Sequence, residues 1–275
     1  MEIREKQRNK NEGRQIMMDY SNVFSLKGKK AVITGGCGYL GKEIVKGLND
    51  FGADVAVIDY KIAEDDRILE RISYIDCNLD DTESIKSALK IAAGKNETID
   101  VLITMAANLG TGVLTDVENM DDAYWKKGID GTVGYTFRTI RETIPYMKNS
   151  EAGSIINIGS LYAVGAPDPK TYFDTPFSST PNYGAGKAAT VELTKFCAAF
   201  LAKYGIRCNS VSPGSYPHPN VYENELFHKR LAEKTMLGRI GYPDDLVGVM
   251  VFLATEASKY ITGVNIMVDG GQTAW

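Results

Sequence analysis

Short apolar runs alternate with amphipathic stretches along the chain from Lys29 onward. The apolar runs have the length and composition of strands buried on both faces, and the stretches between them have the spacing of helices with one apolar side. The predicted strands are 30–34, 54–58, 72–76, 99–105, 153–158, 206–211 and 264–268, and the predicted helices are 39–51, 81–93, 122–148, 181–203 and 243–255. This order predicts an α/β fold, a single doubly wound domain whose parallel seven-stranded sheet has helices on both faces.

The first 24 residues do not follow this pattern. They are rich in Lys, Arg, Glu and Asn, and few of their side chains are apolar. Such a segment buries too little apolar surface to fold alone, so residues 1–24 are predicted to form a mobile arm. A role in clasping a second subunit is the alternative. The folded domain is predicted to span residues 25–275.

The first predicted strand leads into a glycine-rich turn, Ala31-Val-Ile-Thr-Gly-Gly-Cys-Gly-Tyr-Leu-Gly41. Within it, Gly36-x-Gly38-x-x-Gly41 has the spacing of the Rossmann fingerprint, which binds the pyrophosphate of a dinucleotide. The phosphates would lie against free N–H groups at the start of the next helix, where the helix dipole favours negative charge. Glycine-rich turns also join strands to helices without any ligand, so this motif alone does not decide the function.

The second predicted strand is followed by Asp59. An acidic residue about 20 positions beyond the glycines can bind the ribose hydroxyls of an adenosine. Its charge would repel a 2′-phosphate, and the segment from Gly35 to Gly41 contains no Arg or Lys to attract one. The pattern therefore favours NAD over NADP as the cofactor, although Lys61 leaves NADP open.

The composition is that of an ordinary globular protein. The 275 residues are 44% apolar, and a net charge of -4 with no dense basic block argues against nucleic acid or an anionic membrane as a partner. Because the chain has neither a bilayer-spanning apolar stretch nor the apolar region of a signal peptide, a cytoplasmic location is expected. The four cysteines form no CxxC pair and are predicted to be reduced, and no residue spacing predicts a metal site.

A candidate acid–base group lies in the second half of the chain. Ser160 follows the strand predicted at 153–158, and the helix predicted from residue 181 contains Tyr183 and Lys187. Residues four apart share one face of a helix, so these two side chains can point into the same pocket. A nearby ammonium lowers the pKa of a tyrosine from about 10, which would make Tyr183 a useful acid or base for an alcohol. Ser160 could hold the substrate oxygen, or it could simply cap a helix.

Together with several further motifs, these residues resemble the short-chain dehydrogenase/reductase family in its short single-domain branch. The resemblance extends from about Leu26 to the C-terminus. The matching motifs are Thr34-Gly35-Gly36-x-Gly38, Asn157-Ile-Gly-Ser160, Tyr183-x-x-x-Lys187, Gly205-Ile-Arg-Cys-Asn-Ser-Val-Ser-Pro-Gly214, Gly238-Arg-Ile-Gly241, Ile261-Thr-Gly263 and Val268-Asp-Gly-Gly271. Chance does not explain the agreement of so many motifs in the same order.

The resemblance implies a role for each matching residue. Tyr183 would be the general acid or base, Lys187 would lower its pKa and bind the nicotinamide ribose, and Ser160 would orient the substrate oxygen. The cofactor NAD would be bound by Gly35, Gly38, Tyr39, Leu40, Asp59, Asn78, Leu79, Ala106, Lys187, Pro213 and Gly214. The implied enzyme interconverts a secondary alcohol and a carbonyl, and it is a homodimer or homotetramer assembled through the helices near 122–148 and 181–203.

The chain departs from the family pattern at several places. The turn reads Gly35-x-x-Gly38-x-x-Gly41, with Tyr39 where this branch usually has glycine, and that spacing is commoner in the longer epimerase-like branch. Thr104-Met-Ala-Ala107 replaces the usual Asn-Asn-Ala-Gly, so the cofactor must be supported differently. Thr132 stands where an asparagine normally assists a proton relay, and Asn78-Leu79 replaces an acid that often contacts adenine.

The segment between Ser160 and Tyr183 is longer than usual for the family, and insertions at the mouth of a site often select the substrate. Loops 166–180 and 214–236 are therefore predicted to bind a polar hydroxylated substrate such as a sugar or sugar acid. The candidate contacts are Tyr162, Tyr172, Asp174 and His218, with Asp168 and Lys170 as further polar groups. The alternative is that the first loop is a solvated surface segment.

Two other functions remain open on the sequence alone. Tyr39 and the glycine spacing hint at an epimerase or dehydratase that uses bound NAD, although the chain is short for the substrate domain of such enzymes. Thr132 and Thr104-Met105 would support a non-catalytic dinucleotide-binding protein. The ordered set of Ser160 and Tyr183-x-x-x-Lys187 favours the oxidoreductase.

Overall fold

The computed structural model describes residue 20, residues 22–67, residue 69, residues 72–110 and residues 116–275. The predicted N-terminal arm therefore lies almost entirely outside the described residues. In the part of the chain that is described, no helix is long and apolar enough to cross a membrane. All four cysteines are free thiols, as their spacing predicts.

The strands are β1 (Lys30–Thr34), β2 (Asp54–Asp59), β3 (Ser73–Asp76), β4 (Val101–Thr104), β5 (Ser154–Ile158), β6 (Arg207–Pro213) and β7 (Asn265–Val268). They form one seven-stranded sheet in the order β3-β2-β1-β4-β5-β6-β7, and every pair is parallel. The predicted doubly wound sheet is confirmed, and each predicted strand agrees with the structure to within two residues at either end.

The helices are α1 (Tyr39–Asp50), α2 (Thr82–Ala93), α3 (Asp122–Ile129), α4 (Tyr135–Met147), α5 (Pro181–Leu201), α6 (Glu225–Glu233) and α7 (Val247–Ala254). Side chains alternate between the two faces of the sheet, as the period of a strand requires. On β1, Val32 faces the layer of α2, α4 and α5, whereas Ala31 and Ile33 face the layer of α1 and α7. Each helix layer therefore closes one hydrophobic core.

The predicted helix 122–148 is not continuous. A π-helical segment, Asp130–Gly134, separates α3 from α4. Here the backbone approaches the loop after β4 so closely that a Cβ on Gly131 would lie 1.8 Å from the carbonyl oxygen of Asn108. Arg138 holds the segment through paired hydrogen bonds of 2.8 and 2.9 Å to the Asp130 carboxylate. Such bulges occur frequently at functional sites.

Helix α6 is absent from the sequence-based prediction, which assigned residues 214–236 to a loop. The helix is short, and its buried apolar residues are Phe227 and Leu231, so its period is weak. Asn224 caps it by accepting a hydrogen bond from the Phe227 N–H at 2.9 Å. The helix predicted from residue 243 instead begins as a 3-10 turn, Pro243–Leu246, before α7.

Residues 166–180 and 214–236, here called the cap, pack against each other. The Phe177 and Phe227 rings stack with centroids 4.6 Å apart. Phe227 and Leu231 belong to a small hydrophobic cluster of their own, against which Tyr172 and Tyr222 pack. The two predicted substrate loops therefore form one unit at the carboxyl edge of the sheet.

Candidate active site

The sheet order reverses at β1, which lies between β2 and β4. In open α/β sheets, ligands bind at this switch point, beyond the carboxyl ends of the strands. Gly35 follows β1 with φ +76°, and a Cβ there would lie 2.8 Å from the backbone of Ala106 beyond β4. Gly35 thus meets both the conformational and the steric condition that only glycine satisfies.

The turn after Gly35 leaves the start of α1 open to an anion. Gly38 is the N-cap residue, none of the described side chains caps the helix, and its first turn contains no acidic residue. A Cβ on Gly41 would lie 2.4 Å from the Gly35 carbonyl oxygen, so the turn is tight enough to require glycine. Uncapped N–H groups at the positive end of a helix dipole suit the pyrophosphate of a dinucleotide.

Asp59 lies at the end of β2 and braces this turn. Its carboxylate accepts hydrogen bonds from the N–H of Cys37 at 3.0 Å and the N–H of Tyr60 at 2.8 Å. It also borders a cavity of about 350 Å³ that Asn78, Leu79 and Ala106 line with it. A carboxylate has further lone pairs, so Asp59 can still accept hydrogen bonds from ribose hydroxyls.

The same cavity is lined by residues that the sequence analysis did not single out. Asn108 and Tyr135 form part of the wall, and the Asn108 amide lies 3.5 Å from the Tyr135 hydroxyl. Arg138 donates a hydrogen bond to the Leu79 carbonyl at 3.0 Å and so holds that side of the cavity. Asn108 lies on the loop after β4, and Tyr135 and Arg138 lie on α4. None of them belongs to a recognisable motif, so their place at this cavity could not be predicted from the sequence.

Thr104, which replaces the usual asparagine, belongs to a buried polar network. Its hydroxyl donates to Oδ1 of Asn157 at 2.7 Å, and Nδ2 of Asn157 donates to Oγ1 of Thr194 at 2.8 Å. The network joins β4 and β5 to α5, the helix that carries Tyr183 and Lys187. The sequence did contain a signal for Asn157, since this amide lies between isoleucines in a strand that is apolar after Ser154.

Ser160 is buried just beyond β5. Its Oγ accepts a hydrogen bond from the Tyr162 N–H at 3.1 Å and so caps the short 3-10 turn Leu161–Ala163. The capping role foreseen from the sequence is therefore present. It uses a lone pair of the hydroxyl, and the hydroxyl hydrogen remains able to donate to a substrate oxygen.

Tyr183 and Lys187 lie one turn apart at the start of α5. The Lys187 ammonium is 5.9 Å from the centre of the Tyr183 ring and donates a hydrogen bond to the Ile158 carbonyl at 2.7 Å. Burial lowers the pKa of Lys187 to about 8. The structure thus brings together the three side chains singled out from the sequence.

The protonation of Tyr183 differs from the expectation. Burial raises the pKa of Tyr183, and the adjacent Ser160 only opposes this increase. Burial decides the direction of this shift in the pKa of Tyr183, and the Lys187 ammonium donates to the Ile158 carbonyl at 2.7 Å. The neutral phenol is therefore favoured in this arrangement.

Thr132 occupies the position at which the family pattern has a relay asparagine. Its hydroxyl donates within its own helix, with the Gly128 carbonyl 2.8 Å away. A Cβ on Gly186 would lie 1.9 Å from Oγ1 of Thr132. Thr132 therefore fills the space against α5, between the turns that carry Tyr183 and Lys187.

Pro213 and Gly214 lie at the carboxyl end of β6, on the same edge of the sheet as the glycine turn. The Gly214 N–H donates to the Val268 carbonyl at 3.0 Å. A Cβ on Gly214 would lie 2.6 Å from the Asp269 backbone, so the loop is packed tightly against the end of β7.

The cap places the candidate substrate residues in different environments. The Tyr162 and Tyr172 hydroxyls form a hydrogen bond with each other, and burial raises the pKa of both phenols. Asp168 forms an ion pair with Lys234 at 2.6 Å, which lowers the pKa of its carboxyl. Asp174 is exposed and has a φ of 60°, in the left-handed region. Of these residues, the tyrosine pair is the one next to Ser160.

Tyr39 and Leu40 start α1, but the Tyr39 side chain does not lie beneath the glycine turn. Its ring faces the ring of His218 with centroids 4.7 Å apart, and its hydroxyl is 2.8 Å from the Tyr222 hydroxyl. Both partners belong to the cap. His218, a candidate substrate contact, therefore packs against a residue of the predicted cofactor turn.

Within the described residues, no group of three or more His, Cys, Asp or Glu side chains could hold a metal ion. The residues brought together at the site carry hydroxyl, ammonium, carboxylate and backbone groups. This set fits a dinucleotide and an alcohol, because it offers an anion site, an acceptor for ribose hydroxyls and proton-transfer groups at one edge of the sheet.

Known proteins resemble this chain over most of its length. A family model described as enoyl-(acyl carrier protein) reductase matches residues 39–273. Galactitol 2-dehydrogenase (L-tagatose-forming) from Cereibacter sphaeroides is 31% identical over 94% of this chain and 100% of its own length. The 7α-hydroxysteroid dehydrogenase from Bacteroides fragilis is 28% identical over 89% of this chain and 94% of its own length.

Among solved structures, a short chain dehydrogenase from Leptospira borgpetersenii with bound NAD+ matches with a TM-score of 0.82 and 30% identity, covering 94% of this chain and 98% of that chain. The names of the two curated relatives imply different substrates, a polyol and a steroid. The similarity therefore indicates the type of reaction, but it does not identify the substrate of this chain. The chain belongs to the short-chain dehydrogenase/reductase family and is an oxidoreductase that acts on alcohol and carbonyl groups.

Proposed function

We propose that this protein uses NAD(H) to interconvert a secondary alcohol and a carbonyl on a polar hydroxylated substrate such as a sugar or sugar acid. The observation that carries the proposal is the meeting of Ser160, Tyr183 and Lys187 at the carboxyl edge of the sheet. The glycine turn opens on the same edge, so a cofactor bound there and an alcohol held by Ser160 would come together.

The side chains have separate roles in this reaction. NAD supplies the hydride acceptor or donor at its nicotinamide when bound. Ser160 donates its hydroxyl hydrogen to the substrate oxygen. Tyr183 takes the alcohol proton as its phenolate during oxidation and returns it from the neutral phenol during carbonyl reduction. Lys187, whose pKa of about 8 leaves it mostly protonated at neutral pH, favours the phenolate that forms when Tyr183 gives up its proton.

The preference for NAD is supported by the surroundings of Asp59. Its carboxylate lies between the glycine turn and the 350 Å³ cavity, where it would accept ribose hydroxyls and repel a 2′-phosphate. Lys61 is directed over the Tyr60 ring, with its ammonium 5.0 Å from the ring centre. The related Leptospira enzyme contains NAD+.

The preference for a hydroxylated substrate is supported by the cap. Tyr162 lies two residues beyond Ser160, and its hydroxyl pairs with that of Tyr172. Paired phenols can donate to and accept from neighbouring hydroxyl groups, which suits a polyol more than an apolar alcohol. The similarity to galactitol 2-dehydrogenase points to the same class.

A homodimer or homotetramer in the cytoplasm completes the proposal. Phe137, Phe196 and Phe200 are 48%, 68% and 51% exposed on neighbouring faces of α4 and α5. They surround an apolar groove that a second copy of these helices would cover.

Light scattering tests this assembly and should give a multiple of the 30.1 kDa chain mass. Phe196→Lys should reduce that multiple, and a monomer in both proteins would count against the assembly.

The decisive experiment replaces Tyr183 by Phe. Polyols, sugars, sugar acids, hydroxy acids and steroid or acyl alcohols are screened with NAD, and reduction of the nicotinamide is followed by absorbance. Tyr183→Phe should lower turnover of the best substrate at least about a hundredfold, while NADH still binds as judged by its fluorescence. Tyr260→Phe, whose side chain is fully exposed, is the control and should retain activity. Unchanged turnover in Tyr183→Phe would refute the proposed role of Tyr183.

A further inference from the structure

Tyr39 connects the predicted phosphate site to the cap. It is the first residue of α1 and directly follows the N-cap residue Gly38, so its backbone N–H is among those that would face the pyrophosphate. Its side chain extends in the other direction, to His218 and Tyr222 in the second cap segment. A glycine at this position would make neither contact.

The contact has two parts of different chemical character. The Tyr39 and His218 rings are tilted by 40° at a centroid distance of 4.7 Å, which is within the range of aromatic packing. The Tyr39 and Tyr222 hydroxyls form a 2.8 Å hydrogen bond. Burial and the Tyr222 hydroxyl raise the pKa of Tyr39 to about 12, so its hydroxyl remains protonated at neutral pH.

Tyr222 is in turn attached to the rest of the cap. Its ring packs against the cap cluster that contains Phe227 and Tyr172, and it meets His228 edge-on at 5.8 Å. The second cap segment is therefore held to α1 by Tyr39 and to the first cap segment by its own cluster. A movement of the cap away from the glycine turn must break the Tyr39 contacts.

We propose that Tyr39 and Tyr222 form a latch that holds the cap closed over the dinucleotide, so that the cofactor leaves only when this contact opens. The latch deepens the proposed function and rests on it, because it requires NAD(H) to bind at the glycine turn. It assigns Tyr39 and Tyr222 a positioning role and places them outside the proton-transfer group.

The rate of NADH release tests the latch. Stopped-flow fluorescence with an excess of NAD+ as the displacing ligand gives this rate for the wild type, Tyr39→Phe, Tyr222→Phe and the double variant. Each single change removes one hydroxyl and keeps its ring, so release should become about threefold to tenfold faster, as expected for the loss of one hydrogen bond. The double variant should release NADH no faster than the single variants, because the same bond is lost in all three.

Hydrogen exchange provides a readout independent of catalysis. With NADH bound, the backbone of residues 214–236 should exchange faster in Tyr222→Phe than in the wild type, while exchange in β5 stays unchanged. Tyr260→Phe, in which a fully exposed tyrosine loses its hydroxyl, is the matched control and should behave as the wild type does.

The outcomes separate the latch from the proposed function. NADH release at the wild-type rate in both single variants would overturn the latch and leave the proposed function standing. Additive acceleration in the double variant would also overturn it, since the two hydroxyls would then act independently. A wild-type protein that binds no NADH would overturn the proposed function, and the latch with it.

Discussion

Thr104 donates a hydrogen bond to Asn157 across the β4–β5 pair, with Oγ1 and Oδ1 2.7 Å apart and both side chains buried. Asn157 then donates to Thr194 on α5. These two hydrogen bonds join β4, β5 and α5 in a chain that lacks the usual Asn-Asn-Ala-Gly segment after β4. The position of α5, and with it that of Tyr183, depends on a network of buried side chains between strands and helix.

Thr104→Val tests this network. Valine has nearly the same shape, but it leaves Oδ1 of Asn157 buried without a donor, so the free energy of unfolding should fall by about 1–3 kcal/mol. Urea denaturation measures the change. In the control Thr98→Val, an exposed hydroxyl loses its bond to the Asn96 carbonyl, and the effect should be at most about 0.5 kcal/mol. Equal effects in the two variants would contradict the network.

Two variants of Asp59 distinguish the effect of its negative charge on cofactor choice from its hydrogen bond to the glycine turn. Asp59→Asn keeps an oxygen that can accept the Cys37 N–H but removes the negative charge. The ratio of kcat/KM for NADP to that for NAD should therefore rise by about tenfold or more, since repulsion of the 2′-phosphate is lost. Asp59→Ala also removes the brace on the glycine turn and should weaken binding of both cofactors. An unaltered ratio in both variants would remove the ribose contact from the proposal.

Lys187→Met should make the protein more stable as well as inactive. The lysine pKa is about 8 in the folded protein, against 10.5 for a solvated lysine, so below pH 8 folding buries a charge, and above 10.5 the amine is neutral in both states. The variant should gain up to about 3 kcal/mol in free energy of unfolding at pH 7. The variant also loses the hydrogen bond from Lys187 to the Ile158 carbonyl. This loss lowers the free energy of unfolding by an amount that does not depend on pH. The gain should shrink as the pH rises from 8 to 10.5.

Urea denaturation at pH 7 and pH 10 measures this trend. Lys195→Met on the same helix removes an exposed lysine and should change the free energy of unfolding by at most about 0.5 kcal/mol at either pH. If the Lys187→Met difference were the same at both pH values, the buried ammonium would not be a cost to folding.

Gly186→Ala should destabilise the protein although alanine favours helices. The new Cβ would lie 1.9 Å from Oγ1 of Thr132, and overpacking of this kind costs about 1–3 kcal/mol. The double variant Gly186→Ala with Thr132→Ala should recover part of the lost stability, because it removes the Thr132 hydroxyl oxygen that the new Cβ would meet. Gly184→Ala, whose Cβ would be 3.4 Å from the Tyr162 carbonyl oxygen, should be neutral or stabilising by up to about 1 kcal/mol. Thermal unfolding compares the variants, and a neutral Gly186→Ala would contradict the tight contact.

The sequence by itself determined the number of strands in the sheet, their parallel direction and the location of the glycine turn. These features depend on local patterns: the strands are short apolar runs, and the turn needs glycine at Gly35 for its positive φ and at Gly41 for its close approach. It also pointed to Ser160, Tyr183 and Lys187, because strand ends at one edge of a parallel sheet come together and positions four apart share a helix face.

Only the tertiary structure decided what depends on distant neighbours. The π-helical interruption of 122–148 is formed where Gly131 meets the backbone of Asn108, and the raised pKa of Tyr183 comes from burial by surrounding elements. Tyr39 turns towards Tyr222, which is 183 residues further along the chain. No local pattern encodes such a pairing, because the direction of a side chain at a helix start is set by the partner that the rest of the fold brings to it.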